Sequence, residues 1–205
     1  DHLVQQDDRG LVATGRIGPN AIIRVAEALQ HRLGRDSTVE LFALAGLSPY
    51  LTSPPQGMVD EDEARRLHGL LRSELGERVA AEVAREAGVA TAHYLLAHRI
   101  PKPVQALLRM LPAVLACRML LAAIRRHAWT FAGSGRFEAR AGRAALLTLR
   151  DNPLCRGQAS EVPVCDYYAA TFEHLFRALV HRDSRCIELS CEARGDDACR
   201  FELRW

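Results

Sequence analysis

The chain has 205 residues, 48% of them hydrophobic, enough to bury one good core and too apolar for a disordered polymer. Its net charge is +2, every basic residue except Lys102 is an arginine, and no basic stripe is interleaved with aromatics, which argues against a nucleic-acid partner. Six cysteines without a secretory signal predict a reducing, cytoplasmic setting.

Residues 1–18 are polar and glycine-punctuated, a lead-in with room for a short strand. Gly18-Pro19-Asn20 then opens a helix whose apolar positions Ile22, Val25, Ala26, Leu29 and Leu33 follow helical spacing, with Gly34 as its stop. Ser37 followed by Glu40 has the capping-box pattern and predicts a second helix over Ser37 to Ala45. Ser48 to Gly57 carries three prolines and reads as a loop, either a lid or partner contact or an ordinary connector. Asp60 to Ala97 is helical again, with a break expected near Gly76 or Gly88. Asp60, Glu61, Asp62 and Glu63 suit a solvated first turn, where acidic groups meet the helix dipole, better than a metal site.

Pro101-Lys102-Pro103 separates this segment from a long apolar helix ending near Arg126. Its most apolar run, Val104 to Ile124, is interrupted by Arg109, Pro112 and Arg118, so a core helix is expected, with a peripheral membrane contact left open, and not a span. Trp129 to Ala132 and Arg136 to Arg150 have strand character, though Ala141 to Leu149 is ambiguous. Helices in the first two thirds and strands with one helix in the last third predict an α+β fold, an antiparallel sheet packed against helices.

The last fifty residues carry the chemistry. Cys165 follows Val162-Pro163-Val164 and opens an apolar-periodic helix, where the dipole favours a thiolate. Cys191 ends one alternating run and Cys199 begins the next, with Gly195-Asp196-Asp197 as the turn between them. Ile187, Leu189 and Cys191 share one parity, as do Cys199, Phe201, Leu203 and Trp205, so both cysteines are expected on the core side of a hairpin. Cys155, in the loop before the helix, reaches the same corner. Four soft thiolates suit zinc in a closed structural site. Four buried free cysteines are the alternative, because no C-x-x-C pair is present.

The tail VPVCDYYAATFEHLF…IELSCEARGDDACRFEL resembles the vinyl-4-reductase domain family, and the likeness covers roughly residues 100–205. The resemblance implies a ligand-binding domain over 100–205, with residues 1–99 a helical region integrated with its core. It also implies the fold of Golgi-transport tethering subunits and nitric-oxide-signalling ligand-binding domains. In sensory members the cysteines matching Cys165, Cys191 and Cys199 bind zinc, and Cys155 stands where the fourth ligand arises. The opening GRIGPNAIIRVAEAL is similar to the photosynthetic branch of the family, which implies a place in bacteriochlorophyll biosynthesis.

The family name implies reduction of a vinyl group on a chlorophyllide precursor. Yet no G-x-G-x-x-G follows a strand, the cysteines do not have ferredoxin spacing, and zinc carries no electrons. A carrier or assembly factor for a magnesium porphyrin intermediate is the preferred expectation, since a large flat apolar ligand needs chiefly a wide pocket. Its candidate walls are Trp129, Phe131, Tyr168, Phe172 and Phe176, although such stripes also serve as plain core. His93, His98 and His127 are candidate axial ligands, and Arg99, Arg125 and Arg126 candidate partners for propionates. Expected partners are a magnesium chelatase subunit or the following methyltransferase, and the resemblance suggests a homodimer.

Overall fold

The computed structural model describes residues 15–205; most of the lead-in expected over 1–18 lies outside them. Its end forms β1 (Arg16–Ile17), antiparallel to β2 (Val59–Asp60). Between these come α1 (Asn20–Leu33), α2 (Arg35–Leu44) and α3 (Pro49–Thr52). α1 buries Ile22, Val25 and Leu29, as its periodicity predicts, while Leu33 at its end is exposed. The capping box is not used: α2 starts two residues before Ser37, straight after Gly34, whose φ of 86° turns the chain out of α1. A one-residue glycine hinge replaced the side-chain cap. Within the proline-rich loop, Pro49 seeds the short α3.

α4 (Glu61–His98) kinks at Gly76, where φ is 78°. Gly88, the other expected break, is helical. A Cβ there would stand 2.4 Å from the Tyr167 carbonyl oxygen and 2.9 Å from Ala170 Cβ, so the missing side chain lets α4 meet the later helix α8 (Asp166–Leu179). Thr171 Oγ1 donates to the Gly88 carbonyl at 3.0 Å across that seam. Gly88→Ala is expected to lower stability by about 1–3 kcal/mol, the range for forcing extra volume into a packed site, as read from urea denaturation midpoints.

The acidic first turn of α4 is not wholly solvated. Glu61 is buried and accepts from Ser134 N at 2.8 Å, from Ser134 Oγ at 2.7 Å and from the Arg156 guanidinium. Burial would raise its carboxyl, but the bonds from Ser134 and Arg156 outweigh that and hold it below the usual range. These partners lie far along the chain, where no local pattern points to them.

The single long helix expected up to Arg126 is two, α5 (Lys102–Met110) and α6 (Ala113–Arg126). Pro112 holds the preceding Leu111 in extended backbone, φ −79° and ψ 152°, and ends α5 there. Trp129 to Ala132, expected as strand, is the short helix α7 (Trp129–Ala132). Its backbone continues from α6, with Phe131 N and Ala132 N both donating to the Ala128 carbonyl at 3.1 and 2.7 Å, before Gly133 turns the chain. Aromatic and β-branched composition misled the reading there.

The sheet comprises β3 (Arg136–Arg140), β4 (Ala145–Arg150), β5 (Arg185–Ser190) and β6 (Cys199–Arg204), antiparallel in the order β3-β4-β6-β5. The fold class is α+β. α8 packs against β5 and β6 on one side and α4 on the other, and α4 in turn packs on α1. Phe176, Phe201, Leu147, Leu121 and Leu71 belong to one continuous core spanning helices and sheet.

Candidate metal centre

Cysteine thiols converge where β4, α8 and the β5–β6 hairpin meet. Cys155 closes the 3-10 turn Pro153–Cys155 that follows β4. Cys165 is the N-cap of α8, its backbone N donating to Glu188 Oε2 at 3.0 Å. Cys191 and Cys199 flank the 3-10 turn Glu192–Arg194, which Gly195 closes in the left-handed region. All four sulfurs lie within 4.8 Å of one another and all four residues are buried.

The sheet register explains the hairpin pair and corrects one expectation. Cys199, Phe201 and Leu203 face the core, but Ile187 and Leu189 do not: they are exposed on the outer face. An irregularity between Glu188 and Ser190 inserts one extra residue, so the parity of β5 reverses just before Cys191 and returns that thiol to the core side.

The Sγ···Sγ distances are 3.5 Å for Cys155–Cys165, 3.7 Å for Cys165–Cys199, and 3.8 Å for Cys155–Cys191, Cys155–Cys199 and Cys165–Cys191. A tetrahedron of thiolates at the usual Zn–S length of about 2.3 Å has edges of about 3.8 Å. The donor set and its spacing therefore fit a four-coordinate zinc without rearrangement. Hydrogen bonds from Cys155, Cys165 and Cys199 pull the Cys191 thiol down, while those with Cys155, Cys191 and Cys199 push Cys165 well up. The Cys199 thiol is lowered too, by its bonds with Cys155 and Cys165, and a divalent cation bound by all four would displace the protons they keep.

N–H groups surround this charge. Asn152, fully buried, points Nδ2 at Cys155, Cys165 and Cys199 at 3.5, 3.4 and 3.4 Å, while its Oδ1 accepts from Leu154 N at 3.0 Å. Glu192 N donates to Cys199 Sγ at 3.4 Å. The Glu192 carboxylate reaches back to Asp151 N at 2.7 Å and Asn152 N at 2.8 Å, locking the loop that carries Asn152 to the hairpin turn. Asn152 and Glu192 escaped the sequence reading. The Asn-Pro step before Cys155 signals a turn, but nothing local says that its amide faces sulfur. Glu188 is half-buried beside the centre, and desolvation, then Cys191, pushes its carboxyl up to about 9.

The aromatic candidates divide. Phe131, Tyr168 and Phe172 come together, with Phe131–Phe172 and Phe131–Tyr168 centroids at 5.8 and 6.1 Å and Tyr168 Oη donating to the Phe131 carbonyl at 2.7 Å. Phe137 and Phe201, not among the candidates, complete that cluster. Phe176 is buried farther along α8 against Trp205, and Trp129 is exposed. The histidines stay apart: His93 lies against His174 at 4.3 Å, His98 against Tyr94 at 4.8 Å, and His127 caps the end of α6. Of the arginines, Arg99 and Arg126 are exposed and Arg125 donates to the Ala139 carbonyl at 3.1 Å.

A cleft of about 360 Å³ beside the centre is lined by Arg72, Arg78 and Arg85 of α4, by Val162 to Val164, and by His68 at its floor. His68 Nε2 donates to the Ala21 carbonyl at 2.9 Å, and burial lowers its pKa to about 4. The unfolded chain therefore binds a proton below about pH 6.5 that the folded chain refuses until about pH 4, and stability falls as pH drops through that window. The expected loss approaches ~3 kcal/mol. Chemical denaturation at pH 7 and pH 4.5 should show this slope in the native protein and a shallower one in His68→Gln.

An α+β fold with a hairpin-and-helix cysteine centre is the class these features define. The V4R domain model matches residues 146–205, which contain all four cysteines. The bacteriochlorophyll synthase 23 kDa chain of Cereibacter sphaeroides is 43% identical over 188 residues, covering 92% of this chain and 90% of that one. The protein of the same name from Rhodobacter capsulatus is 42% identical, covering 92% and 86%. A solved H-NOX-family structure concerned with heme distortion shares the fold, with a TM-score of 0.58 at 16% identity over 92% of this chain and 95% of that one. The chain belongs to the V4R-domain family of bacteriochlorophyll synthase 23 kDa chains.

Proposed function

We propose that this protein is a tetrapyrrole carrier or assembly factor in bacteriochlorophyll biosynthesis, with α8 and the hairpin bound together by a structural zinc. The observation that carries the reading is the 43% identity over 92% of the chain to a relative named for bacteriochlorophyll synthesis. The fold is consistent with it, since a solved structure sharing that fold is described in terms of its heme. Zinc held by Cys155, Cys165, Cys191 and Cys199 would do no redox chemistry; it would tie the start of α8, the helix that carries Tyr168 and Phe172, to the hairpin. A magnesium porphyrin would lie against the aromatic cluster beside α7, with Trp129 and Phe131 from that helix, and one of His93, His98 or His127 would supply an imidazole to its metal. Arg99, Arg125 and Arg126 would meet its carboxylates. The bound pigment would be passed between a magnesium chelatase subunit and the following methyltransferase.

The V4R description also fits the second reading, a reductase of the pigment's vinyl group. The two separate on one experiment, in which purified zinc-loaded protein is incubated with a divinyl magnesium porphyrin alone, and then with a nicotinamide or ferredoxin donor. The carrier reading expects a shifted Soret band on binding without reductant and unchanged pigment by chromatography. Catalytic appearance of the monovinyl product would replace it with the reductase.

A further inference from the structure

We propose that the outer face of α5 and α6 seats the protein on an anionic lipid bilayer. α5 turns Gln105 and Leu108 inward and leaves Val104, Leu107 and Met110 outside; α6 buries Cys117, Leu120, Leu121 and Ile124 and leaves Val114, Leu115 and Met119 outside. These six side chains are between 41% and 84% exposed, and they make up six of the thirteen exposed large hydrophobics among the described residues. Ordinary surfaces scatter such residues singly; a concentration within two touching helices marks a contact face.

The charge around this face selects the partner. Between Glu86 and Glu138 the chain has no acidic residue and seven basic ones. Along the polar edge of α6, a cleft of about 380 Å³ opens toward β3, lined by Arg118, Arg125 and Arg140. Neither Arg118 nor Arg140 is paired with a carboxylate among the described residues. An apolar stripe edged with arginine is the composition of a helix that lies in the headgroup plane, its side chains in the acyl boundary and its cations on phosphates. A second copy is a poor occupant, because a two-fold interface sets the patch against itself and would oppose like charges. Spanning is not the mode, since no helix among the described residues is long and apolar enough to cross a membrane. Arg125 is the one residue this face shares with the pigment reading, and the exposed side chains of α5 and α6 with Arg118 and Arg140 carry the inference without it.

The test is co-sedimentation of the zinc-loaded protein with phosphatidylglycerol-rich vesicles and with pure phosphatidylcholine vesicles. Binding should favour the anionic vesicles and weaken as salt is raised. Leu107→Glu with Leu115→Glu should reduce the partition at least about tenfold, by placing charge in the acyl boundary. Arg118→Ala, a milder change at an exposed position, should reduce it about fivefold, the worth of one cation at an anionic surface. Thermal midpoints and zinc content should stay at the native values for Arg118→Ala, which separates lost binding from lost fold. The proposal is overturned if native protein ignores anionic vesicles, if Arg118→Ala and the double variant bind as well as native, or if sedimentation shows a dimer that Leu115→Glu dissolves while vesicle binding is absent.

Discussion

Cys191→Ser and Cys199→Ser are each expected to strip the metal and most of the fold's stability together. Both thiols flank the same turn, both are fully buried, and the hairpin, α8 and the loop after β4 meet at the four sulfurs. Binding free energies of structural zinc in small modules run about 10–16 kcal/mol, comparable to or larger than the whole stability of an ordinary domain. Losing one of four ligands leaves three thiolates crowded in a buried corner with an incomplete cation, so the site opens and does not simply weaken. Cys117→Ser and Cys186→Ser are the controls. Cys117 sits in α6 and Cys186 in β5, outside the cluster, and their replacement should retain a full equivalent of zinc at a cost of about 1–3 kcal/mol for burying a hydroxyl. Metal analysis alongside thermal melts decides the matter: native protein that is well folded and metal-free, with a melting point indifferent to chelator, would remove the zinc.

The cysteine cluster was legible because its members stand at points of chain punctuation. Cys165 follows a Val-Pro-Val step and caps a helix; Cys199 starts a strand of clean alternation, and Phe201 and Leu203 are buried beside it as that alternation requires. Period-2 reasoning failed on β5, where Ile187 and Leu189 face outward, because a bulge shifts parity and leaves no mark in the residue pattern. The capping box at Ser37 and Glu40 matched by residue type alone, while the φ of Gly34 decided where α2 begins. By residue type Glu61 belongs to an exposed acidic turn, and only contacts with Ser134 and Arg156, brought near by the tertiary fold, make it a buried anchor. Long-range partnership of that kind has no local signature. The split at Pro112 was legible in principle, since proline constrains the residue before it; the apolar run on both sides concealed it.

Asn152→Asp should disable the centre nearly as thoroughly as removing a ligand, while keeping the size and shape of the side chain. In the native protein the amide nitrogen faces three sulfurs at 3.4–3.5 Å and the amide oxygen accepts from Leu154 N. Four thiolates around one divalent cation carry a net charge of about −2, and in a buried corner that charge needs donors. Exchanging the amide for a carboxylate replaces the donor with a second acceptor aimed at the same sulfurs. An uncompensated buried charge costs about 3–5 kcal/mol, and here it also repels the thiolates directly. Asn152→Ala should be milder. It removes the donor without adding charge, so zinc affinity should fall about 10–100-fold, the usual cost of losing an outer-shell partner. The ranking native, Ala, Asp in competition against a chromophoric chelator is the expected result. Equal affinities for all three would mean that the Nδ2 contacts carry no electrostatic weight, and Asn152 would then matter only for the turn it caps before Cys155.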